Sequence, residues 1–231
     1  MLTPTRRRGF EILDDPSVDP AVRAQSIGDV TRSNQLLGGL RAAAAAVREV
    51  LRVDPSCRSV LDVGTGLADI PGRVRHEAKN AGISLETFGV DEASSLLVAA
   101  RDRLGHAVCA NALALPFRDH SIDIVMCSQL LHHFETADAE RLVAELARVA
   151  RRAVIVSDLR RSWIAAAGFW LVSFPLRFHR VTRHDGVVSV MRGFTDSELA
   201  RIMRNATGRP AVLNRRLGFR LTARWTHEEF A

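Results

Sequence analysis

The feature that most constrains this chain is a short apolar segment that ends in two glycines. Residues 60–63 have the composition of a buried strand, and Gly64 and Gly66 follow just before a helix is expected to begin. Glycines there let the backbone turn tightly and approach a ligand closely. Asp62 adds a carboxylate at the mouth of the turn. This order of strand, glycine turn and helix predicts a loop that holds a nucleotide-like cofactor.

The residue at position 69 helps to choose the cofactor. A dinucleotide loop has the pattern G-x-G-x-x-G, whose third glycine allows close packing of helix and strand. This chain has Asp69 there, and a carboxylate at a helix start repels a pyrophosphate. S-adenosylmethionine carries no phosphate, and its ammonium and sulfonium groups suit Asp62. The loop therefore favours S-adenosylmethionine over NAD, which stays as an alternative.

Two further segments follow at the expected spacing. Residues 85–90 predict a second strand, and Asp91 at its end is placed to accept hydrogen bonds from ribose hydroxyls. Residues 110–117 form a loop before the apolar strand predicted at 122–127. Together with the glycine turn, these segments occur in one consistent order over residues 59–158. Strands one to five are predicted at 59–63, 85–90, 107–110, 122–127 and 153–157. Helices are predicted at 21–38, 40–51, 69–81, 93–103 and 136–149, and a capping box of Thr195 and Glu198 predicts a last helix to about residue 206.

In that order the segments resemble the motifs of class I S-adenosylmethionine-dependent methyltransferases. The resemblance implies an α/β, Rossmann-like, seven-stranded and mostly parallel sheet with helices on both faces and an antiparallel last strand. Where the family usually has Asp, this chain has Asn111, whose carbonyl can still accept from an adenine amino group. The cofactor contacts implied within the core are Asp62, Gly64, Thr65, Gly66, Asp91, Glu92, Asn111, Ala112, Leu113 and Ser128.

The pattern predicts one domain with four parts. Residues 1–53 are expected to form an N-terminal helical lid, 54–158 the cofactor-binding core, 159–192 a substrate-side insertion after strand five, and 193–231 a helix and a closing hairpin. In the lid, Arg32 could pair with the cofactor carboxylate. A solvated helix face with a glycine hinge is the alternative.

The insertion contains an almost wholly apolar run at 162–178. A membrane span needs about 20 such residues, so this run is too short to cross a bilayer. An apolar pocket wall is the favoured interpretation, because aromatic side chains suit flat apolar ligands. Contact with a second copy or with a membrane surface, helped by flanking arginines, remains an alternative.

Three residues near the ends of strands four and five are candidates for catalysis. His132 and His133 follow strand four, and Asp158 ends strand five, at the edge where open parallel sheets bind ligands. A histidine there could remove a proton from an acceptor hydroxyl, and Asp158 could orient it. Helix capping and packing are equally plausible roles. A polar group at 179–185 could bind an acceptor carboxylate, or could form a surface turn.

Composition narrows the classes of function. A chain of 231 residues with 47% hydrophobic residues can bury one full core. The net charge of +6 comes from arginine, because Lys79 is the only lysine, and such usage does not by itself indicate a nucleic-acid partner. The chain has no tyrosine, so the aromatic motif typical of methyltransferases that modify nucleic-acid bases is not expected. It has no paired metal-ligand spacing, so no metal is expected. The N-terminus lacks the apolar run of a signal peptide, which predicts a cytoplasmic location.

The sequence as a whole resembles small-molecule methyltransferases related to the ubiquinone and menaquinone C-methylating enzymes and to bacterial natural-product methyltransferases. This resemblance implies O- or C-methylation of a small, aromatic, quinone-like or polyketide acceptor by a monomer or homodimer. The alternative from another class is a noncatalytic module that binds S-adenosylmethionine or S-adenosylhomocysteine.

Overall fold

The computed structural model describes residues 3–7, 9–15 and 17–227 and is organised around a seven-stranded sheet. Its order is β3-β2-β1-β4-β5-β7-β6, and β7 runs antiparallel to both of its neighbours. This is the α/β, Rossmann-like arrangement that the sequence predicts. The strands are β1 (Ser59–Val63), β2 (Glu86–Asp91), β3 (His106–Cys109), β4 (Ile122–Ser128), β5 (Ala150–Leu159), β6 (Val212–Arg216) and β7 (Arg220–Thr226).

Eight α-helices surround this sheet within the described residues. The predicted helices occur within one or two residues of their expected ends, except that the fourth ends earlier and continues as a 3₁₀ turn at Arg101–Arg103. The helices are α1 (Pro20–Leu36), α2 (Gly39–Val53), α3 (Asp69–Asn80), α4 (Ser94–Ala100), α5 (Thr136–Val149), α6 (Trp163–Val172), α7 (Arg180–Arg192) and α8 (Asp196–Thr207).

The central strands are buried on both faces, which explains their nearly continuous apolar sequences. Successive side chains of a strand point to opposite faces, so each strand supplies both layers of the core. Ile124 and Ile155 pack against α2 and α3, whereas Val125 and Val154 pack against α5 and α8. The helices therefore cover both faces, as expected.

The boundary of the predicted lid is wrong at its second helix. The alanine-rich α2 buries Ala43 and Val47 against the sheet core, and only its first turn, at Leu40, reaches the cofactor edge. Its strong apolar stripe explains this position, since such a stripe needs a buried partner. Within the predicted lid, the chain before α2 therefore provides most of the cover.

A separate layer lies over the carboxyl ends of the parallel strands. It consists of an N-terminal strap (residues 9–15), α1, α6 and α7. Asp185 of α7 accepts hydrogen bonds from the strap amides of Ile12 and Leu13, at 2.8 and 2.9 Å. Arg192 of α7 donates to the carbonyl of Gly9 at 2.5 Å. Two side chains of α7 thus hold the strap across the sheet edge.

Contacts between α1 and α7 complete this layer. Buried Asp29 of α1 accepts from the backbone amide of His179 at 2.7 Å and from the hydroxyl of Thr182 at 3.2 Å. Gly186 packs so closely against the Phe169 ring that a Cβ atom there would lie 2.1 Å from it. The insertion and the N-terminal region therefore form one assembly. No helix in the described part of the chain is long and apolar enough to cross a membrane.

Candidate cofactor and acceptor site

A cavity of about 360 Å³ lies between the sheet edge and the covering layer. Its floor comes from the loops after β1 and β4, and its cover comes from the strap, α1, α6 and α7. The predicted residues that line it are Asp62, Gly64, Thr65, Gly66, Ser128, His132 and His133. The structure thus brings together candidates for cofactor binding and for catalysis that the sequence placed in separate motifs.

The glycine loop after β1 has the backbone geometry that its sequence predicts. Gly64 and Gly66 have φ angles of +72° and +54°, a region that residues with a Cβ atom rarely adopt. The amide of Gly66 donates to a carboxylate oxygen of Asp91 at 2.9 Å, while the amide of Ala93 donates to the other oxygen at 2.9 Å. Asp91 therefore connects the loop to the end of β2.

Asp62 is the cofactor candidate whose environment is most informative. It is buried, and its Oδ2 accepts from the Thr65 hydroxyl at 3.1 Å. Its Oδ1 is buried without a hydrogen-bond partner among the described residues. Burial raises the pKa of Asp62 to about 7, and the negative charge of Asp91 adds to this. A buried carboxylate with one oxygen left without a partner suits the ammonium group of S-adenosylmethionine.

The remaining predicted cofactor contacts are spread along the same edge. Ser128 ends β4 with its hydroxyl buried and, within the described chain, without a partner. The Asn111 side-chain oxygen accepts from the amide of Leu113 at 2.7 Å, which orders the loop and occupies one of its two lone pairs. Glu92 and Asn111 are exposed and lie outside the cavity. Ala112 follows in the same loop. Their contacts to a nucleoside remain predictions.

Arg32 does not line the cavity where the cofactor carboxylate was expected. Its guanidinium donates to the Leu176 carbonyl at 3.1 Å and lies 5.5 Å from the Phe178 ring centre. Arg220, at the start of β7, is the arginine that lines the cavity, and it donates to Gln129 at 2.6 Å. Burial lowers the pKa of Arg220 to about 10, so it remains cationic at neutral pH. The sequence analysis missed Arg220 because no motif marks it.

His132 and Asp158 form a buried pair at the wall of the cavity. His132 Nδ1 lies 2.7 Å from Asp158 Oδ1, and the His132 backbone amide donates to Oδ2 at 3.1 Å. Because an ionised carboxylate only accepts hydrogen bonds, Nδ1 carries the proton. Nε2 is then the free lone pair of neutral His132, and no described residue bonds to it. This geometry orients a general base.

Asp158 is held in its ionised form. Burial alone would raise its pKa, but the pairing with His132 and the hydrogen bonds from His132 and the Leu159 amide hold the pKa below its usual range. The carboxylate therefore stays ionised and can stabilise an imidazolium at His132. Of the two histidines that the sequence proposed, His132 has the geometry of a base.

Glu11 is a site residue that the sequence analysis did not identify. The strap carries it into the cavity, where Oε1 accepts from the hydroxyl of Ser189 and from Arg192, both at 2.9 Å. Burial raises the pKa of Glu11, although the neighbouring His132 and Arg192 act in the opposite direction. Its position 121 residues from His132 in sequence left no local pattern to detect it.

Glu11, His132 and His133 bring one potential ligand atom each to within 4.8 Å of one another. Burial and the neighbouring His132 lower the pKa of His133, which therefore stays neutral. Arg192 already pairs with Glu11 and lies 3.4 Å from His133 Nδ1. Because this guanidinium supplies the positive charge that a bound cation would supply, the cluster is better suited to hydroxyl groups than to a metal ion.

The polar group predicted at 179–185 has a structural role. Asp185 lies within α7, where its side chain is buried and holds the strap. The alternative prediction of a surface turn at this position is therefore wrong. His179 accepts from the Val181 amide at 3.3 Å and thereby caps α7. These contacts give Asp185 and His179 structural roles.

Comparison with known proteins agrees with this geometry. A family model described as a methyltransferase domain matches residues 61–156. The tRNA (carboxymethyluridine(34)-5-O)-methyltransferase ALKBH8 of Macaca fascicularis is 33% identical over 105 residues, which are 45% of this chain and 14% of that protein. The mouse protein of the same name is 32% identical over 106 residues and gives the same coverage. The chain therefore matches only about a seventh of the length of these curated relatives.

Solved structures show the same fold at low sequence identity. The plantazolicin methyltransferase BpumL, crystallised with S-adenosylhomocysteine and a triazolic desmethylPZN analogue, aligns with a TM-score of 0.71 and 11% identity over 94% of both chains. The magnesium protoporphyrin IX methyltransferase of Synechocystis PCC 6803, crystallised with S-adenosylmethionine, aligns with a TM-score of 0.56. The sequence identity is 12%, and the alignment covers 94% of this chain and 89% of that chain.

The matched region runs from β1 into β5 and includes the whole glycine loop, where Asp62 leaves a buried oxygen free for a cationic group. S-adenosylmethionine is therefore the cofactor of this fold. The methyltransferase-domain match over residues 61–156 and the seven-stranded Rossmann-like sheet together support a class I S-adenosylmethionine-dependent methyltransferase.

Proposed function

We propose that this protein transfers the methyl group of S-adenosylmethionine to a hydroxyl group of a small aromatic or polyketide-like acceptor. The observation that carries the proposal is the buried His132–Asp158 pair, which shares one cavity with the glycine loop and Asp62. A protein that only bound the cofactor would have no need of an oriented base beside it.

The cofactor supplies an activated methyl group, so the main task of the protein is to align the acceptor in line with it and to exclude water. Asp62, the glycine loop and Ser128 would hold the amino-acid end of the cofactor. Arg220 would pair with its carboxylate and thus takes the role expected for Arg32. The strap and α7 close the cavity over the reacting groups.

His132 acts on the acceptor in this proposal. As the acceptor oxygen bonds to the methyl carbon, the methyl–sulfur bond would break and S-adenosylhomocysteine would leave. Nε2 would accept the hydroxyl proton, and Asp158 would stabilise the resulting imidazolium through Nδ1. A phenol with a pKa of about 10 is largely protonated at neutral pH, so a positioned base increases its reactivity. Removal of the same proton from a hydroquinone or enol would instead activate a ring carbon, which makes C-methylation the alternative outcome.

The walls of the cavity favour an acceptor with one polar and one apolar side. Glu11 offers a carboxylate oxygen beside His132, which suits a second hydroxyl group on the acceptor. Leu13, Ile27 and Phe169 supply apolar surface on the opposite wall. Such a division is typical of sites for small ligands, in which a few polar groups set the orientation.

The first test measures binding and turnover together. Calorimetry with S-adenosylmethionine, S-adenosylhomocysteine and NAD should show binding of the first two compounds alone. Transfer of a labelled methyl group to phenols, hydroquinones and polyketide lactones should then find an acceptor, with tRNA in the same panel. Cofactor binding without transfer to any of them would favour the noncatalytic module, and methylation of tRNA alone would overturn the small-molecule assignment.

A further inference from the structure

The outer face of α6 is an exposed apolar surface. Exposed positions in and just after α6 repeat at helical spacing and face away from the protein. They are 163, 167, 170 and 174, with 164 and 171 beside them. The opposite face is buried, with Ala165 and Ala166 packed against α7. The large exposed side chains are Trp163, Ile164, Trp170, Leu171, Val172 and Phe174, each with 38–60% of its surface accessible.

This degree of exposure is unusual for a helix of this composition. A helix that is apolar on all sides is normally buried completely or lies against a membrane. Trp170 and Phe174 are in edge contact with their ring centres 4.8 Å apart, and the helical spacing places the other exposed side chains on the same side of α6. Continuous patches of this kind mark interaction surfaces. We call this patch the α6 face.

The rim of the α6 face is positively charged. Arg7 lies over the Trp163 ring at one end, and Arg177 and Arg180 are exposed just beyond the other end. Residues 159–184 contain five arginines and neither aspartate nor glutamate. Apolar and aromatic side chains surrounded by arginines match the interface of an anionic bilayer, where tryptophan and arginine are both favoured.

A second copy of the chain fits this surface less well. A twofold contact places the same surface on both partners, so any such contact through the α6 face would bring two arginine rims together. Whether the two α6 helices pair parallel or antiparallel, arginines of one copy would lie opposite arginines of the other at both ends. Anionic lipid headgroups neutralise these charges. α6 has ten residues, or about 15 Å of helix, so it can lie on a bilayer and cannot cross one.

We propose that the α6 face docks the protein onto an anionic lipid surface, with α6 lying in the plane of the headgroups. Phe169 projects from the same helix into the cavity. The membrane-facing helix is therefore also a wall of the acceptor site, which would bring lipophilic acceptors near the cavity. The docking itself does not depend on methyl transfer.

The test is co-sedimentation of the full chain with vesicles. The wild-type protein should sediment with vesicles of phosphatidylcholine and phosphatidylglycerol, and much less with phosphatidylcholine alone. Each arginine near an anionic surface contributes about fivefold to partitioning, so Arg177→Gln with Arg180→Gln should weaken binding about 25-fold. Trp170→Gln with Leu171→Gln should weaken it at least as much.

A matched control uses exposed apolar residues elsewhere. Val98→Gln with Leu217→Gln removes side chains that are 68% and 90% exposed but lie outside the α6 face, and should leave sedimentation unchanged. Cofactor binding by calorimetry confirms that each variant is folded. Brominated lipids should quench the tryptophan fluorescence of the wild type.

Several outcomes would overturn the proposal. Equal sedimentation with neutral vesicles would remove the role of charge, and unchanged sedimentation of the Trp170/Leu171 variant would remove the role of the α6 face. A dimer that dissociates in that variant, with no lipid binding by the wild type, would assign the face to a second copy. Vesicle binding by a protein that transfers no methyl group would leave the docking intact and refute the proposed function.

Discussion

The two halves of the cavity are built in different ways. The cofactor half takes Asp62, Gly64, Gly66 and Asp91 from the ends of two adjacent strands, within 30 residues of chain. The acceptor half combines Glu11 of the strap, the His132 turn, Phe169 of α6 and the clamp of α7. Glu11 and His132 are 121 residues apart, and Asp185 lies more than 170 residues from the strap amides that it holds.

This difference has a physical basis. Parallel strands in register bring their carboxyl ends to one edge, so a glycine turn there forms a ligand loop with little help from distant residues. The acceptor half exists only when the covering layer is closed. We therefore expect substitutions in the cofactor half to change cofactor affinity, and substitutions in the acceptor half to change turnover or acceptor binding.

The largest effect should follow removal of the base. His132→Ala should lower kcat by about 10²–10⁴-fold, because general-base catalysis commonly contributes that much. Cofactor affinity by calorimetry should remain close to the wild-type value. The control is His133→Ala, for which we expect less than a tenfold loss. Equal losses in the two variants would contradict the assignment of the base to His132.

Asp62 provides the corresponding test in the cofactor half. Asp62→Asn should weaken binding of S-adenosylmethionine by about 10–100-fold, as expected for loss of a charged hydrogen bond of about 1.5–3 kcal/mol. Glu92→Gln, on an exposed side chain, should have no comparable effect. An unchanged dissociation constant in Asp62→Asn would show that Asp62 does not contact the ammonium group.

The pH dependence of cofactor binding tests the same carboxylate. Since the pKa of Asp62 is raised to about 7, the group is increasingly protonated below that pH and must lose a proton when the cofactor cation binds. Affinity should therefore fall by up to about tenfold per pH unit below 7 and level off above it. Calorimetry from pH 5.5 to 8.5 measures this (roughly the span over which Asp62 titrates), and Asp62→Asn should flatten the profile.

A smaller effect should distinguish the two arginines. Arg220→Met should weaken cofactor binding by about tenfold through loss of one charged hydrogen bond. Arg32→Met removes a guanidinium that contacts the insertion instead, and should leave cofactor binding unchanged. Thermal melting shows whether the buried Arg220 variant folds. The reverse order of effects would restore the role predicted for Arg32.

The smallest effect should come from the clamp of the strap. Asp185→Asn keeps the shape of the side chain but weakens two charge-assisted hydrogen bonds to the strap amides. The KM for the acceptor should rise a few-fold, with little change in cofactor affinity. Hydrogen exchange of the Ile12 and Leu13 amides should become faster. Unchanged exchange would show that other contacts hold the strap.

The sequence by itself determined the cofactor half. The strand before Gly64, the positive-φ glycines and the acid at position 91 are local features, and each reached its predicted place because backbone rules act over a few residues. The parallel sheet with helices on both faces followed from the alternation of strands and helices, and its seven strands followed from the family resemblance. The capping box of Thr195 and Glu198 also formed as predicted.

The tertiary structure alone decided which residues meet in the acceptor half. The covering layer brings Glu11 to His132, whereas the sheet places Arg220 of β7 at the cavity and holds α2 in the core. The sequence proposed both His132 and His133, but the bond to Asp158 distinguishes them. These contacts span large separations in sequence, where no local periodicity or motif specifies a partner and packing of the whole chain makes the choice.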